Sequence, residues 1–335
     1  MGKDLRKFSE VERKAFFKEV VHRQRRRARW HDYTSRCFYM VTLNKNSRTP
    51  DLSRLVGSLT DMGDPPRVEL TTIGALLTSA LSETVFRFPM FRVCRQVFMP
   101  DHVHLVIQIS CDDSPHLGTI IGFFSGRATH KLREFTGNQE AQYFEKNFHD
   151  LIVYGRDQLR RFNDYVSDNP RRLMIKRLRP DLFTAQQMLT SNGCSFHTKG
   201  NFFLLRHPLR IQVRFSRRFT AEEWEERCRS YMRVIAQGGV LVSPFIHPNE
   251  REILKLGIEN GAGIIYLVNN GFRERSAPHG GLFDLCAKGR ALIIAPPAYE
   301  PTKKDIRRVE CMELNSWARL FAEKDPEYTL KGGRR

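Results

Sequence analysis

The stretch FRVCRQVFMPDHVHLVIQI, residues 91–109, decides the fold of the first half of this chain. Two apolar runs, Phe91–Phe98 and His102–Ile109, are separated only by the tripeptide Met-Pro-Asp, whose composition is typical of a tight turn. The spacing predicts two adjacent strands joined by that turn. Side chains two residues apart on a strand share one face, so we expect His102 and His104 to lie side by side.

A histidine pair on a strand supports two interpretations. Both imidazoles could bind one cation, because they would lie close together on the same face. Alternatively, the two side chains are ordinary half-buried or solvent-facing histidines, which is the commoner case. The pair alone does not decide between metal ligation and a structural role, so the neighbouring elements have to be considered.

Hydrophobic periodicity predicts further elements on both sides of this strand pair. The segment CFYMVTL, residues 37–43, has the composition of a strand, and helical spacing extends over residues 71–86, 117–135 and 156–169. Pro170 is expected to end the last helix, because the residue before a proline is driven away from α geometry. The first half is therefore predicted to contain both strands and helices.

The last of these predicted helices carries a second polar pair. Tyr165 and Asn169 are four residues apart and project from one helix face, with Cβ atoms about 5–6 Å apart. Taken alone, a helical tyrosine is usually a core residue, and an asparagine before a proline usually terminates a helix. A phenol and a carboxamide that project together could also form part of a reactive site.

In order and spacing, these segments resemble the HUH single-tyrosine transposases of the insertion-sequence-200-like type, and most closely the REP-associated tyrosine transposases. The matching text is FYMVTL, FRVCRQVFMPDHVHLVIQI and YFEKNFHDLIVYGRDQLRRFNDYVSDNPRR, where the family shows Met-Pro-Asn-His-Val-His-Leu and Tyr-Ile-x-x-Asn-Pro. The match covers residues 35–175, roughly 40% of the chain. Asp101 stands where the family commonly has asparagine, and the loop over residues 44–66 is longer than expected.

The resemblance implies a ferredoxin-like HUH domain, which is an antiparallel sheet with helices, and a role for each matching residue. His102 and His104 would bind a divalent metal, Mg²⁺ or Mn²⁺, with Asn169 as the third ligand, and Tyr165 would be the catalytic nucleophile. A phenol has a pKa near 10, so it needs a cation that polarises the scissile phosphate. Attack would leave a 5′-phosphotyrosine and a free 3′-hydroxyl, which allows strands to be rejoined without ATP.

The charge of the chain supports a polyanionic partner. The 335 residues include 55 Lys and Arg against 37 Asp and Glu, a net charge of +18, and the first 180 residues hold 31 basic and 20 acidic residues, or +11. A solvated basic surface is the alternative interpretation. The side chains expected to contact single-stranded or hairpin DNA are Arg127, Lys131, Arg133, Arg171, Arg172, Lys176 and Arg177.

Two further residues match a family segment just before the tyrosine helix. His149 and Asp150 lie in the run KNFHDLIVYG, which has the composition of a short strand. We favour a structural role at a strand edge over contact with the substrate.

The second half predicts a different architecture. Three apolar runs, residues 239–245, 263–268 and 290–296, fit strands buried on both faces, and the helical stretch PNEREILKLGIENG between the first two has the length of a parallel crossover. This pattern predicts an α/β Rossmann-like domain with a mostly parallel sheet. It weakly resembles the Rossmann-like domains of the DprA and lysine-decarboxylase-like type, and the strand ends near Ser243 and Asn270 could bind a ligand or serve only as scaffold.

Composition sets the remaining limits. The seven cysteines form no CxxC pair, and no apolar run approaches the length of a membrane span, so we expect a cytoplasmic protein without a membrane partner. The glycines form neither GxGxxG nor a P-loop, so no nucleotide cofactor is expected. The predicted organisation is a basic helical arm at 1–30, the HUH domain at 31–180, a linker at 181–200, the Rossmann-like domain at 201–325 and a basic tail at 326–335.

The favoured function is a single-stranded DNA transposase or endonuclease that acts through a 5′-phosphotyrosine, with a homodimer implied by the resemblance. A DNA- or RNA-binding regulator that keeps the HUH scaffold without catalysis is the alternative. A metal phosphoesterase that uses His102 and His104 without a tyrosine adduct is a third possibility.

Overall fold

The structure, a computed structural model, describes residues 28, 30–190, 193–215, 220–273, 276–278, 280–303, 305–323 and 328–331. The chain divides into two compact units, Met1–Arg172 and Leu173–Arg335. The predicted basic arm at 1–30 and basic tail at 326–335 fall largely outside the described residues. In the part of the chain that is described, no helix combines the length and apolar content needed to cross a membrane.

The first unit is built on a four-stranded antiparallel sheet with the strand order β4-β5-β1-β6. Its strands are β1 (Cys37–Asn44), β4 (Phe91–Phe98), β5 (His102–Ile109) and β6 (His149–Val153). A separate hairpin is formed by β2 (Ser53–Val56) and β3 (Arg67–Leu70). The helices are α1 (Thr72–Arg87), α2 (Leu117–Thr136) and α3 (Arg156–Leu178). The predicted antiparallel sheet with helices is confirmed.

Helices α1 and α2 cover one face of this sheet. Apolar residues of β1 and β5 at alternate positions, such as Val41 and Leu105, share one buried cluster with Leu77 of α1 and Phe124 of α2. The helix ends follow local chemistry: the Thr71 side chain caps α1 by accepting a hydrogen bond from the Gly74 N–H. The intervening residues of β1 and β5 therefore face the other side of the sheet.

Helix α3 corrects one prediction. Pro170 was expected to end the helix at Asn169, but the helix continues through Pro170 to Leu178. An internal proline costs about 3 kcal/mol, because it lacks an N–H and crowds the preceding turn. The ion pairs from Asp168 to Arg171 and Arg172 span the proline, and Pro170 itself is buried, so side-chain contacts stabilise the helix across it.

The second unit contains a seven-stranded mixed sheet with the order β13-β7-β8-β12-β11-β10-β9. Strands β9 to β12 are mutually parallel, whereas β7, β8 and β13 pair antiparallel. The strands are β7 (Gln186–Thr190), β8 (Ser195–Gly200), β9 (Arg210–Gln212), β10 (Val240–Ser243), β11 (Gly263–Leu267), β12 (Ala291–Ala295) and β13 (Tyr328–Lys331). The helices are α4 (Ala221–Ala236), α5 (Pro248–Glu259), α6 (Gly281–Ala287) and α7 (Arg308–Ala322).

The three apolar runs of the second half form the central parallel strands, as predicted. Alternate residues of these strands enter two separate buried clusters, so Ile264 and Ile265 pack on opposite faces of the sheet. Burial on both faces explains why the runs are continuously apolar and do not alternate. The crossover helix expected between the first two runs is α5.

The predicted linker at 181–200 is wrong, because this segment holds β7 and β8. Its polar composition suggested a linker, but β8 pairs antiparallel with β12 and extends the sheet. Phe196 is buried in the apolar cluster on one face, and Thr198 and Lys199 are buried as well. Burial on an added strand can include polar residues where they find hydrogen bonds, and Thr198 donates to the carbonyl oxygen of Gln186.

Candidate active site

The histidine pair lies at the start of β5, on the face of the sheet opposite α1 and α2. The turn that precedes it is closed by the Met99 N–H, which donates to the carbonyl oxygen of His102 at 2.8 Å. The ring centroids of His102 and His104 are 4.5 Å apart with an edge-to-face angle of 73°. Val103 between them is fully buried in the core, so the alternation expected from the sequence is present.

His104 is held in a buried pocket of the sheet. Its Nδ1 is hydrogen-bonded to Oγ1 of Thr42, its partner residue on β1, at 2.9 Å. Burial, with a smaller contribution from the neighbouring His102, lowers the pKa of His104 from 6.5 to about 3. The imidazole is therefore neutral at physiological pH, and its Nε2 is buried without a hydrogen-bond partner.

His102 is more accessible and is oriented by a carboxylate. Its Nδ1 lies 2.7 Å from Oδ1 of Asp101, the residue that precedes it. A carboxylate on one ring nitrogen of a histidine selects the tautomer and leaves the other nitrogen for a ligand. Asp101, where the resembling family commonly has asparagine, thus contributes to the orientation of the histidine pair.

Helix α3 places the tyrosine against this pair. The Tyr165 ring centroid is 5.5 Å from that of His104, with an interplanar angle of 64°. Asn169, one helical turn further on, is buried, and its Nδ2 donates to the Tyr165 carbonyl oxygen at 2.8 Å. This bond fixes the amide so that its oxygen is the remaining group that could act as a ligand.

A buried cation completes the site on α3. The Arg172 guanidinium carbon lies 5.5 Å from the centroid of the Tyr165 ring, and the arginine is only 8% exposed. Asp168 accepts hydrogen bonds from Nε of Arg172 at 3.0 Å and from Nε of Arg171 at 2.5 Å. Guanidinium groups are the cations that bind phosphate oxygens most specifically, so Arg172 is a candidate phosphate ligand beside Tyr165.

The chemistry of these donors fits a divalent cation. His102 and His104 offer imidazole nitrogens, and the buried, unbonded Nε2 of His104 is an atom that needs a partner. Neither at this site nor anywhere else in the described part of the chain do three His, Cys, Asp or Glu side chains come together to form a metal site. A metal at this position would therefore rely on the Asn169 carboxamide, or on substrate and water oxygens, beyond the two imidazoles.

Three of the predicted DNA-binding residues are not brought to this site. Arg127 and Lys131 lie on α2, which packs on the other face of the sheet, and each forms an ion pair with Glu83 of α1 at 2.6 Å. Hydrogen bonds from these two cations hold the pKa of Glu83 below its ordinary value. Arg133 of α2 donates instead to the Ala141 carbonyl oxygen at 2.9 Å.

The other predicted basic residues divide along α3. Arg171 and Arg172 are close to Tyr165 in the first unit, whereas Lys176 and Arg177 belong to the second unit, which begins at Leu173. Arg177 is exposed.

His149 and Asp150 lie on β6, the edge strand, as the structural interpretation expected. Asp150 accepts a 2.8 Å hydrogen bond from the Tyr33 hydroxyl, and His149 is the β-sheet partner of Thr42.

In the second unit, the polar residues singled out at the strand ends have internal roles. The fully buried Ser243 accepts a hydrogen bond from the Phe245 N–H at 3.0 Å. Asn270 forms two 2.9 Å hydrogen bonds with the backbone of Glu300, one as donor and one as acceptor. Both side chains connect loops within the second unit.

Two contributors to the site were missed at the sequence level. Thr42 is recognisable only through the β1–β5 register, which sequence periodicity does not specify. Asp168 did leave a signal, because it stands three and four residues before Arg171 and Arg172, the spacing of helical ion pairs.

No protein-family model matches the sequence, and no curated protein does. Among solved structures, similarity is found to a REP-associated tyrosine transposase bound to a REP hairpin, with 18% identity, a TM-score of 0.33, and coverage of 44% of this chain and 74% of that chain. A presumed transposase from Deinococcus radiodurans R1 is 12% identical with a TM-score of 0.25, covering 42% of this chain and 95% of its own. At these scores the likeness assigns neither family nor activity, so function rests on the site itself.

Proposed function

We propose that the first unit is an HUH-type, single-tyrosine transposase or endonuclease that cleaves and rejoins single-stranded DNA. One observation carries the proposal: the Tyr165 ring lies within 5.5 Å both of the buried His104 ring of β5 and of the buried guanidinium of Arg172. A phenol, a pair of imidazoles and a buried cation are the groups that transfer of a phosphodiester to tyrosine requires.

The roles of the chain's own residues follow from their positions. Arg172 would bind a non-bridging oxygen of the scissile phosphate and hold that phosphate beside Tyr165, because Asp168 fixes its Nε. The Tyr165 oxygen would attack phosphorus, and the bond from phosphorus to the 3′ oxygen would break. The phenol loses its proton and the departing oxygen gains one, so the products are a 5′-phosphotyrosine and a 3′-hydroxyl.

The histidines would bind the metal ion that stabilises negative charge on the phosphate. His102, His104 and the amide oxygen of Asn169 are the groups that would hold Mg²⁺ or Mn²⁺. When bound there, such an ion supplies charge stabilisation to the phosphoryl oxygens. Thr42 contacts Nδ1 of His104, and Asp101 contacts Nδ1 of His102. In each histidine the Nε2 atom is therefore the nitrogen that would bind the ion.

The proposed partner is a single strand or a hairpin that carries one. The chain's charge of +18 favours a polyanion, and the exposed cations of α3 are on the same helix as Tyr165. We further propose a homodimer and a cytoplasmic location, the latter because all seven cysteines are free thiols, as a reducing compartment allows.

The decisive experiment is a search for the covalent intermediate. The full chain is mixed with single-stranded and hairpin oligonucleotides and Mn²⁺ or Mg²⁺, and adducts are detected on denaturing gels and by intact mass. We expect an adduct that disappears in Tyr165→Phe and on chelation, while oligonucleotide binding is retained. Tyr299→Phe, a half-exposed tyrosine of the second unit, is the matched control and should form the adduct normally.

Other outcomes identify the alternatives. Binding without cleavage under any metal condition would favour a DNA- or RNA-binding regulator. Metal-dependent hydrolysis that persists in Tyr165→Phe would instead indicate a phosphoesterase that uses the histidine pair. An adduct that persists in Tyr165→Phe would refute the assignment of the nucleophile.

A further inference from the structure

The first unit exposes a pair of stacked aromatic rings that the cleavage site does not use. Trp30 and Tyr154 are 70% and 69% exposed, although both are large side chains that proteins normally bury at least in part. Their ring centroids are 6.2 Å apart with an interplanar angle of 25°. The rings are therefore nearly parallel and offset, and most of the surface of each side chain remains exposed to solvent.

Trp30 is in contact with a network of aromatic and polar side chains that leads into the core. His31 packs edge-on against Trp30 and its Nε2 lies 2.7 Å from the hydroxyl oxygen of the buried Tyr39. Tyr33 stacks on Tyr39 and donates to Asp150 of β6 at 2.8 Å. A ring that is positioned before binding loses little conformational freedom on contact, which is a property of recognition surfaces.

The charges next to the pair are predominantly positive. The Tyr154 N–H donates to Oε1 of Gln158 at 2.8 Å, which joins Tyr154 to the first turns of α3. Those turns expose Arg156, Arg160 and Arg161, with Asp157 as the acidic neighbour. Arg156 in the first turn opposes the helix dipole, so it is better explained by an anionic partner than by helix stability. Arg160 and Arg161 lie one turn further on and extend the same exposed positive surface.

We propose that the Trp30–Tyr154 pair is a base-stacking platform for single-stranded nucleic acid, whose phosphates lie against Arg156, Arg160 and Arg161. Exposed aromatic rings bordered by cations are how proteins hold unpaired bases, because every base offers a π face and every nucleotide a phosphate. This inference rests on the proposed function for the nature of the strand, and it adds a second contact region to it.

The platform is well separated from Tyr165. Tyr154 lies five residues beyond His149, the β6 partner of Thr42, which is about 17 Å along a strand. Tyr39 and Asp150 beneath it belong to the face covered by α1 and α2, whereas His104 is on the other face. A strand that touches both regions crosses β6, so the stacked base is several nucleotides from the cleaved phosphate.

The test measures binding of fluorescent single-stranded oligonucleotides to the full chain in the Tyr165→Phe background, where cleavage does not intervene. We expect Trp30→Ala and Tyr154→Ala each to weaken binding about tenfold, with Trp30→Phe close to the parent. Phe203→Ala is the matched control, because Phe203 is 71% exposed in the second unit, and it should bind like the parent. Thermal melting verifies that each variant is folded.

An abasic scan sharpens the result. Bases are removed from the oligonucleotide one at a time, and binding to the parent should weaken when the removed base is the one that stacks on the platform. Trp30→Ala should bind that abasic oligonucleotide and the intact one with equal affinity. Equal oligonucleotide affinity of Trp30→Ala, Tyr154→Ala and Phe203→Ala would overturn the platform. It would also be overturned if Trp30→Ala lost self-association but kept its oligonucleotide affinity, because a second copy of the chain would then be the occupant of the ring pair.

The two proposals fail separately. If adducts form through Tyr165 but the ring variants bind normally, the cleavage function stands without the platform. If no adduct forms and the ring variants still lose affinity, the platform stands in a protein that only binds.

Discussion

The two faces of the first sheet place similar ion pairs in different surroundings. On the face covered by α1 and α2, Arg127 and Lys131 both pair with the carboxylate of Glu83. On the other face, Arg171 and Arg172 share Asp168, and the guanidinium of Arg172 also lies against the Tyr165 ring. Each face sets two cations against one carboxylate, so charge alone does not distinguish the faces, whereas the tyrosine and histidine rings beside the second cluster do.

The largest expected effect is on the rate of adduct formation, and it should differ between histidines on the two faces of the sheet. His104→Ala removes the buried imidazole beside Tyr165 and should lower the rate of adduct formation by about 100-fold or more, since a single electrostatic group at a reaction centre contributes that much. Initial rates on a hairpin oligonucleotide are the measurement, with His104→Asn as a second variant if the alanine variant melts early.

His130→Ala is the matched control for that prediction. His130 lies on α2, its side chain is 56% exposed, and its Nδ1 lies 3.2 Å from Oε2 of Glu134 on the same helix. Its substitution should leave the rate within about twofold of the parent. Equal losses in the two variants would contradict the assignment of the active face.

The second comparison concerns the arginines. Arg172→Ala should lower the adduct rate by roughly 100-fold, because a charged donor aimed at the phosphate is lost, and Arg172→Lys should recover part of it through charge alone. Arg127→Ala should change the rate by no more than about twofold. Rates measured at saturating oligonucleotide separate chemistry from binding, and a larger effect of Arg127 than of Arg172 would reverse the comparison.

A smaller effect is expected from changes at Thr42, whose hydroxyl orients His104. Thr42→Val keeps the side-chain shape but removes the hydroxyl at Nδ1 of His104, which should raise the Mn²⁺ concentration needed for half-maximal adduct formation by about tenfold. Thr42→Ser restores the hydroxyl and should return the requirement close to the parent's. If valine leaves the metal requirement unchanged, the Thr42 bond does not prepare His104 for a cation.

The smallest effect belongs to the opposite face and is structural. Glu83→Gln should leave the adduct rate unchanged and lower the free energy of unfolding at pH 7 by roughly 0–1 kcal/mol, since the ion pairs are partly exposed. Because the pKa of folded Glu83 lies below 4.5, its contribution is complete above that pH and is lost as the pH falls through the folded value. Urea unfolding at a series of pH values from 7 downwards should show a difference between parent and variant that shrinks as the pH falls below 4.5.

Much of the site could be predicted from the sequence because it is encoded in local periodicity. The strand period places His102 and His104 on one face, and the helical period places Tyr165 and Asn169 together, so both pairs were found without knowledge of the fold. Bringing the two pairs into contact required the tertiary structure, and before that only the resemblance to HUH transposases connected them.

What could not be predicted depends on contacts between distant segments. The pairing of Thr42 with His104 requires the strand register, and the position of Arg127 on the opposite face requires knowledge of which helix covers which face. Pro170 and the segment 181–200 were misjudged because tertiary context overruled local propensity: this stretch of α3 is buried, and β8 pairs with β12.

The cluster of Asp168, Arg171 and Arg172 has a consequence for salt dependence. Within this cluster, the two positive charges of Arg171 and Arg172 face the one negative charge of Asp168, and a phosphodiester also carries one negative charge. Docking one phosphate there releases about one counterion's worth of entropy, equivalent to a slope of about 0.7 in log affinity against log salt for a single strand. A steeper measured slope of log affinity against log salt would indicate that further phosphates are bound elsewhere on the chain.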